Sequence, residues 1–528
     1  MGKGYLAIIL HAHLPYVRHP EFELSLEERW LYEAITEAYI PLLLLLERLV
    51  EEGVDFRLTF SLTPTLASML LDPLLQSRYL RRLERLIELA DREIHRTRSH
   101  PEFNSLARMY FQRFQQIRTT YIDRYRRDLI SPLQKLQGSG RVEIIAGAAT
   151  HGYLPLLSVN PSAVRAQVRV GVEFYRQLFG RRPKGFWLPE CGYYAGVEEV
   201  LGEHGVRYII LETHGITRAD PRPRYGVFGP IYCPSGVAAF GRDPESSKQV
   251  WSSIAGYPGD YDYREFYRDI AFDLDSEYIG PYLHPEGIRT DTGIKYYRIT
   301  GQGNNKEVYV PERAERKAEL HASNFMFNRQ KQAEYLTSIM DRKPLVVAPY
   351  DAELFGHWWF EGPLWLNSLI RQIASQRETI RLVTLSEYLG QYPINQVCQP
   401  CMSSWGLNGF NDVWLNGKND WIYPRLHRAA DEMETLASKY PGTKGLKKRA
   451  LNQAARELLL AQASDWAFMI SGAMAEYGRK RTETHLARFQ KLCEEINGPQ
   501  IDEAFLANVE SLDNIFPQID YQVFSSQV

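Results

Sequence analysis

Two acidic residues stand where a short apolar run gives way to a loop. Gly185-Phe186-Trp187-Leu188-Pro189 leads into Glu190 ahead of Gly192, and Ala348-Pro349-Tyr350 leads into Asp351, followed by the aromatic cluster Phe355, His357, Trp358 and Trp359. A charge at such a place is costly unless it is used, capped or paired, and either acid alone reads equally well as a helix cap or an ion-pair partner. Two carboxyl groups at strand ends of one sheet are the minimum set for glycoside chemistry. One is ionised and attacks the anomeric carbon, while the other is protonated and donates to the leaving oxygen, so their environments must differ. Glu353, two residues beyond Asp351, supplies a like charge that favours protonated Asp351 if the two side chains are close.

His11-Ala12-His13 puts two imidazoles on one face of an extended strand end, because residues i and i+2 point the same way. This spacing suits zinc as well as a sugar, and it also suits rings satisfied by backbone carbonyls. His151, beside Gly152, is a third polar group at a strand end and completes either a metal site or a hydroxyl-binding site. A metal-dependent carbohydrate enzyme built on His11, His13 and His151 is therefore a rival reading. A glucan-binding protein without turnover is another.

The elements that position these residues are legible as alternating units. Tyr5 to His11, Phe56 to Phe60, Val142 to Ala146, Gly185 to Pro189, Val206 to Leu211 and Leu345 to Ala348 read as short buried strands with helical stretches between them. That alternation predicts an α/β fold with a parallel sheet, and its length favours a barrel whose chemistry lies at the C-terminal strand ends. His11, His13, His151, Glu190 and Asp351 all fall there. Residues 1–395 are expected to form this catalytic domain. Between about 74 and 136 it carries a helical insertion, with Leu80, Leu83, Ile87, Ala90 and Ile94 and then Phe111, Phe114, Ile117 and Tyr121 at helical spacing. An active-site loop region is expected at about 215–260. After about Gln396 the strands stop, so 396–528 reads as a C-terminal all-α domain.

Composition narrows the partners. The 528 residues carry a net charge of -2, which offers nothing to a polyanion and excludes nucleic acid and an anionic membrane as expected partners. No apolar run approaches the roughly 20 residues that span a bilayer, and no cleavage-site pattern follows Leu10, so a soluble cytoplasmic protein is expected. Aromatic residues reach 12%, a supply of flat faces for sugar rings. The five cysteines suit reduced thiols; Cys398 and Cys401 form a C-x-x-C, but zinc normally needs a second ligand pair and none stands nearby.

Five segments in order carry a family resemblance: His11-Ala12-His13-Leu14-Pro15-Tyr16, Gly147-Ala148-Ala149-Thr150-His151-Gly152, Trp187-Leu188-Pro189-Glu190-Cys191, Tyr350 to His357, and Ser403-Ser404-Trp405-Gly406. They resemble the five sequence regions of the GH57 glycoside hydrolases, in particular the α-glucan branching-enzyme subgroup with a long helical C-terminal domain. The resemblance implies a distorted (β/α)7 barrel, with Glu190 as nucleophile and Asp351 as acid/base of a retaining double displacement. It implies no metal and no organic cofactor. The expected partner is an α-glucan, bordered by His11, His13, His151, Trp30, Trp405 and Trp414, with Arg268 and Asp465 at positions resembling substrate contacts. The family glutamine expected a few residues beyond Asp465 is absent from Ser471-Gly472-Ala473-Met474. The implied activity is α-1,4 to α-1,6 branching, with 4-α-glucanotransfer or amylolytic hydrolysis as the alternative. In the resembling enzymes a loop tyrosine helps exclude water from the intermediate. The corresponding stretch here is Tyr225 to Gly241, where Tyr232 and Phe240 are the candidates.

Overall fold

The structure, a computed structural model, describes residues 3–252, 256–301, 303, 305–376 and 378–525. Its strands are β1 (Gly4–Ala12), β2 (Leu58–Leu62), β3 (Val142–Gly147), β4 (Gly185–Trp187), β5 (Tyr208–Leu211), β6 (Ile231–Tyr232), β7 (Ala238–Gly241), β8 (Leu345–Asp351) and β9 (Ile380–Leu382). They hydrogen-bond in the order β6-β7-β5-β4-β3-β2-β1-β8, with β9 beside the start of β1. All pairings are parallel except β6 with β7. Beyond β7 the Asp243 N–H donates to the Val347 carbonyl in β8 at 2.9 Å, which joins the two ends of the run from β7 to β8. The result is the distorted (β/α)7 barrel. Six of its strands were expected from the sequence; the seventh, β7, is the short Ala238-Ala239-Phe240-Gly241, too small and too weakly branched to announce itself.

Alternation along the strands sorts the residues by face. Tyr5, Ala7 and Ile9 of β1 and Leu345 and Val347 of β8 pack with Trp187, Tyr208 and Ile210 in the barrel interior. Leu6, Ile8 and Leu10 instead join the larger core beneath the helices. Continuing the period puts His11 on the interior face at the top of β1, in register with Asp351 at the top of β8.

The outer helices are delimited by their caps. The helix Pro161–Phe179 starts where the Asn160 side chain accepts from the Ala163 N–H, has proline in its first turn, and stops at Gly180 in the left-handed conformation. It lies so close to β3 that a Cβ on Gly171 would stand 2.1 Å from the Gly147 carbonyl oxygen. Between β2 and β3 the helices Pro73–Arg96, Pro101–Thr119 and Ile130–Gly138 form the helical insertion. The first buries Leu75, Tyr79, Leu83, Leu86, Leu89 and Ala90, while Leu80, Ile87 and Ile94 lie on the edge of that stripe.

The chain beyond residue 396 does not turn helical at once. It first runs as a strap over the barrel mouth, bridging Asp220 with Gln399 and Tyr193 with Ser403. Helices Ile422–Lys439, Gly445–Ala461, Ser464–Ser471, Ala475–Asn497 and Glu503–Leu512 follow. Among the described residues no helix is long and apolar enough to cross a membrane.

The Gly171 approach gives a test of this packing. Gly171→Ala should push the Pro161–Phe179 helix off β3 and cost about 1–3 kcal/mol as overpacking. A thermal melt should show a midpoint lowered by several degrees, and an unchanged midpoint would mean the helix can slide without loss.

Candidate active site

The interior face opens at the top of the barrel into a cluster of carboxyl groups and imidazoles. Glu190 sits just past β4 with φ 60°, a left-handed conformation that non-glycine residues adopt only when held there. Three hydrogen bonds from the strap and the helical region hold it. The Trp405 N–H donates to the Glu190 carbonyl at 3.0 Å, and the Trp405 indole Nε1–H donates to Glu190 Oε2 at 2.8 Å. The Ser464 hydroxyl donates to Glu190 Oε1 at 2.9 Å.

His151 shares this construction. It too has a left-handed backbone, φ 58°, and its carbonyl accepts from the Ser464 N–H at 3.0 Å. Its Nδ1 lies 3.0 Å from Ser464 Oγ and 3.7 Å from Glu190 Oε1. Gln167 ties the loop to Gln462 at 3.0 Å, and Gly152 bridges Ala463. The start of the Ser464–Ser471 helix is thus fixed to two reactive-looking residues of the barrel.

The three histidines form a stack. The His13 and His151 rings lie 3.7 Å apart at 16°, His11 is 5.4 Å from His151, and Trp187 covers His11 at 4.4 Å. Each of the first two is oriented by a hydroxyl: His11 Nδ1 to Ser61 Oγ at 3.0 Å and His13 Nδ1 to Thr63 Oγ1 at 3.1 Å. His13 Nε2 meets Asp465 Oδ1 at 3.1 Å. Burial lowers the His13 pKa, but Asp465, aided by Glu190 and Glu353, more than offsets it, so His13 ends above the ordinary value. Burial and the charge of His13 push His151 and His11 well below it. The cluster therefore favours a proton on His13 and disfavours one on His11 and His151.

The two carboxyl groups are treated differently. Asp351 is raised well above its ordinary pKa, first by burial, then by Glu353, then by Glu190, with Arg242 opposing. Glu190 is also raised by burial and by Asp465, but the Trp405 N–H, the Ser464 hydroxyl and His13 favour its ionised form. Glu353 is itself fixed, accepting from the His13 N–H at 3.1 Å and from the Tyr39 hydroxyl. The like-charge pressure expected of Glu353 on Asp351 is present. Chemically, the arrangement favours the protonated form at Asp351 and supplies Glu190 with hydrogen-bond donors that favour its ionised form.

His13, His151 and Asp465 also bring three ligand atoms within 4.8 Å of one another, so this corner has the residue types for a metal ion. In the structure His13 and Asp465 are spaced as a hydrogen-bonded pair, which zinc ligation at about 2.0–2.2 Å would have to replace.

The remaining expected residues are distributed less evenly. Trp405 is half-buried at the cluster, packed edge-on against Trp187 at 5.1 Å. Beside it lies an open groove of about 510 Å³, lined in part by Glu212, Arg242, Trp251 and Asn408. Trp30 is half-buried against Tyr477, with ring centres 5.8 Å apart. Trp414 does not face the cleft: it is 1% exposed and stacked on Tyr153 at 4.4 Å, behind the strap. Arg268 is engaged by Asp273 at 3.0 Å and lies 3.7 Å over the Tyr297 ring, neither of which belongs to the cluster. Neither loop aromatic reaches the site. Tyr232 donates to the Pro393 carbonyl, and Phe240 is buried in the barrel against Tyr208. Where the family glutamine was expected, Ser471 is occupied with the Val413 carbonyl and Asn419.

Several participants carried no signal in the sequence. Ser464 is one small polar residue before Asp465. Trp251, 6.2 Å from Trp405, and Arg242 follow β7, and Arg242 pairs at 3.0 Å with Glu212 at the end of β5. Tyr39 lies on a π-helix, Ile35–Tyr39, and such bulges often mark functional places.

Residues 7–403 match the sequence profile of glycosyl hydrolase family 57. The chain belongs to this family. A second match, to the C-terminal region of 1,4-alpha-glucan branching enzymes, covers residues 425–524 of this family 57 member. The alpha-amylase AmyC of Thermotoga maritima has 44% identical sequence and a TM-score of 0.93, covering 99% of each chain. A GH57-type branching enzyme of Pyrococcus horikoshii is 35% identical with a TM-score of 0.90, covering 100% of this chain and 97% of that one. A 1,4-alpha-glucan branching enzyme of Thermococcus kodakarensis is 35% identical over 97% of this chain and 77% of its own length.

The donors on Glu190 predict a pH effect. Trp405→Phe keeps an aromatic ring but deletes the N–H that favours the ionised carboxylate, so the Glu190 pKa should rise further. In a kcat/KM profile the acid limb should move to higher pH; an unmoved limb would mean that Glu190 does not need its charge.

Proposed function

We propose that this family 57 chain is a retaining α-glucan transglycosidase, a 1,4-α-glucan branching enzyme, with its catalytic barrel in residues 1–395 and an all-α part in 396–528. The observation that carries this reading is the split environment of Glu190 and Asp351 beneath a helical region whose residues 425–524 match the C-terminal region of 1,4-alpha-glucan branching enzymes.

In the proposed mechanism, a Glu190 oxygen attacks the anomeric carbon as the α-1,4 bond breaks, and Asp351 gives its proton to the departing O4. The product is a glycosyl ester of Glu190. Asp351, now ionised, takes the proton from a 6-hydroxyl of an acceptor glucan, whose oxygen attacks the same carbon and releases Glu190. Two inversions retain the α configuration. His11, His13, His151, Asp465 and Trp405 surround the reacting sugar, with His13 carrying the positive charge that stabilises ionised Glu190. Trp30 borders the glucan farther out. Arg268 and Trp414 act on glucan only if their present contacts change, so we assign them supporting positions. No metal is part of this mechanism, and the reading has the enzyme working in the cytoplasm on a neutral glucan.

A second reading, hydrolysis of α-glucan, is favoured by two observations. The β6–β7 turn brings neither Tyr232 nor Phe240 over the cleft, and a 44% identical relative is an alpha-amylase. Water and a sugar hydroxyl compete for the same ester. Incubation with amylose, counting new α-1,6 linkages against new reducing ends, separates the two: linkages in excess support branching, and reducing ends alone support hydrolysis.

Glu190→Gln should remove nearly all activity with the fold intact, since the amide cannot form the ester. Asp351→Asn should lose at least about 10²-fold on natural glucan and less on a substrate whose leaving group needs no proton. Equal losses on both substrates would count against Asp351 as the acid. Glu353→Gln deletes a like charge, so the Asp351 pKa should fall and the alkaline limb of kcat/KM should move to lower pH. Exhaustive chelation should leave activity unchanged; loss restored by zinc would install a metal at His13, His151 and Asp465 instead.

A further inference from the structure

Away from the carboxyl cluster, the insertion helix Pro73–Arg96 and the helix Glu28–Ala34 enclose a cavity of about 130 Å³ together with the segment around His284 and Thr290. Five arginines line it, Arg29, Arg78, Arg81, Arg82 and Arg85. A neutral glucan has no use for such a concentration of charge.

The carboxylates available do not balance it. Glu28 takes Arg78 at 2.6 Å, Glu33 takes Arg29 at 2.6 Å, and Glu23 stands 4.0 Å from Arg81. Arg82 spends its donors on two backbone carbonyls, those of Tyr282 at 3.2 Å and Asp291 at 2.8 Å. Among the described residues Arg82 and Arg85 have no carboxylate partner. Burial and the neighbouring Arg29 push the Arg82 guanidinium down to about 10, with Arg85 adding and Glu33 and Asp269 opposing. In addition, the Nε atoms of Arg29 and Arg78 are buried without a hydrogen-bond partner. The molecule thus holds cations together at a cost that an anion would relieve.

We propose that this cavity binds a phosphate dianion, either free or as the monoester group of a small sugar. Guanidinium forks match tetrahedral oxyanions in geometry as well as charge, and Arg85 is the fork that no described residue engages. The volume equals about four waters at roughly 30 Å³ each, enough for a phosphate group with any sugar left at the mouth. The site is also coupled to the catalytic frame by covalent continuity. The helix bearing Arg29 and Trp30 runs directly into Ile35–Tyr39, whose Glu37 bonds His357 at 2.8 Å and whose Tyr39 bonds Glu353. Ordering of the cavity therefore stiffens the helix behind the site.

The test is isothermal titration of the full chain with inorganic phosphate and separately with a hexose monophosphate, against chloride at matched ionic strength. Saturable binding with Kd below about 1 mM is expected for at least one of them, and the tighter of the two identifies the source. Arg85→Gln should weaken binding about tenfold or more, as expected for loss of a charge-assisted fork. Because Arg85 has no hydrogen-bond or ion-pair partner among the described residues, its variant should keep the wild-type melting temperature without phosphate and its activity on amylose. No saturable binding up to about 10 mM, or undiminished binding by Arg85→Gln, would overturn the assignment.

Discussion

A carboxylate is being kept chargeable in a buried place, and much of the molecule is arranged around that difficulty. Burial pushes Glu190 towards its neutral form. Two hydrogen bonds to its oxygens and one nearby imidazolium oppose this, and both hydrogen-bond donors come from beyond the barrel, at Trp405 and Ser464. The strap and the helical region are for this reason more than a lid. They complete the site, and they fix the left-handed backbone of Glu190 and His151 through the Trp405 N–H and the Ser464 N–H.

The same constraint sets the other groups. A protonated Asp351 and an ionised Glu190 can coexist only if the field at each differs. The difference is made by Glu353 on one side and by donors and His13 on the other. Glu353 acts through rigid attachment to Tyr39 and the His13 backbone. The histidine stack confines its positive charge to His13, because a second imidazolium 3.7 Å away would be strongly repelled. In the proposed mechanism, transfer against hydrolysis depends on what covers the ester, and neither Tyr232 nor Phe240 does so here.

Much of this was legible in the sequence, for identifiable reasons. Strands buried on both faces read as continuous apolar runs, so six barrel strands and the acids and histidines at their ends stood out. The short, small-residue β7 did not, and with it went Arg242 and Trp251. Side chains that act by distant hydrogen bonds were invisible for a different reason: Ser464 reaches Glu190 across 274 positions in the chain, and nothing in its own neighbourhood announces it. Trp414 and Arg268 show the reverse case, positions singled out by the resemblance that the fold engages with Tyr153 and with Asp273 and Tyr297.

The central claim, that Glu190 is the group poised to bond the sugar, is tested most directly by trapping. Asp351→Asn incubated with a fluorinated glucosyl donor that forms the ester but turns over slowly should gain one glucosyl unit by mass spectrometry. Peptide mapping should assign the added mass to Glu190. An enzyme that stays unlabelled while the wild type releases a product of inverted configuration, or a label on any other carboxylate, would contradict the account.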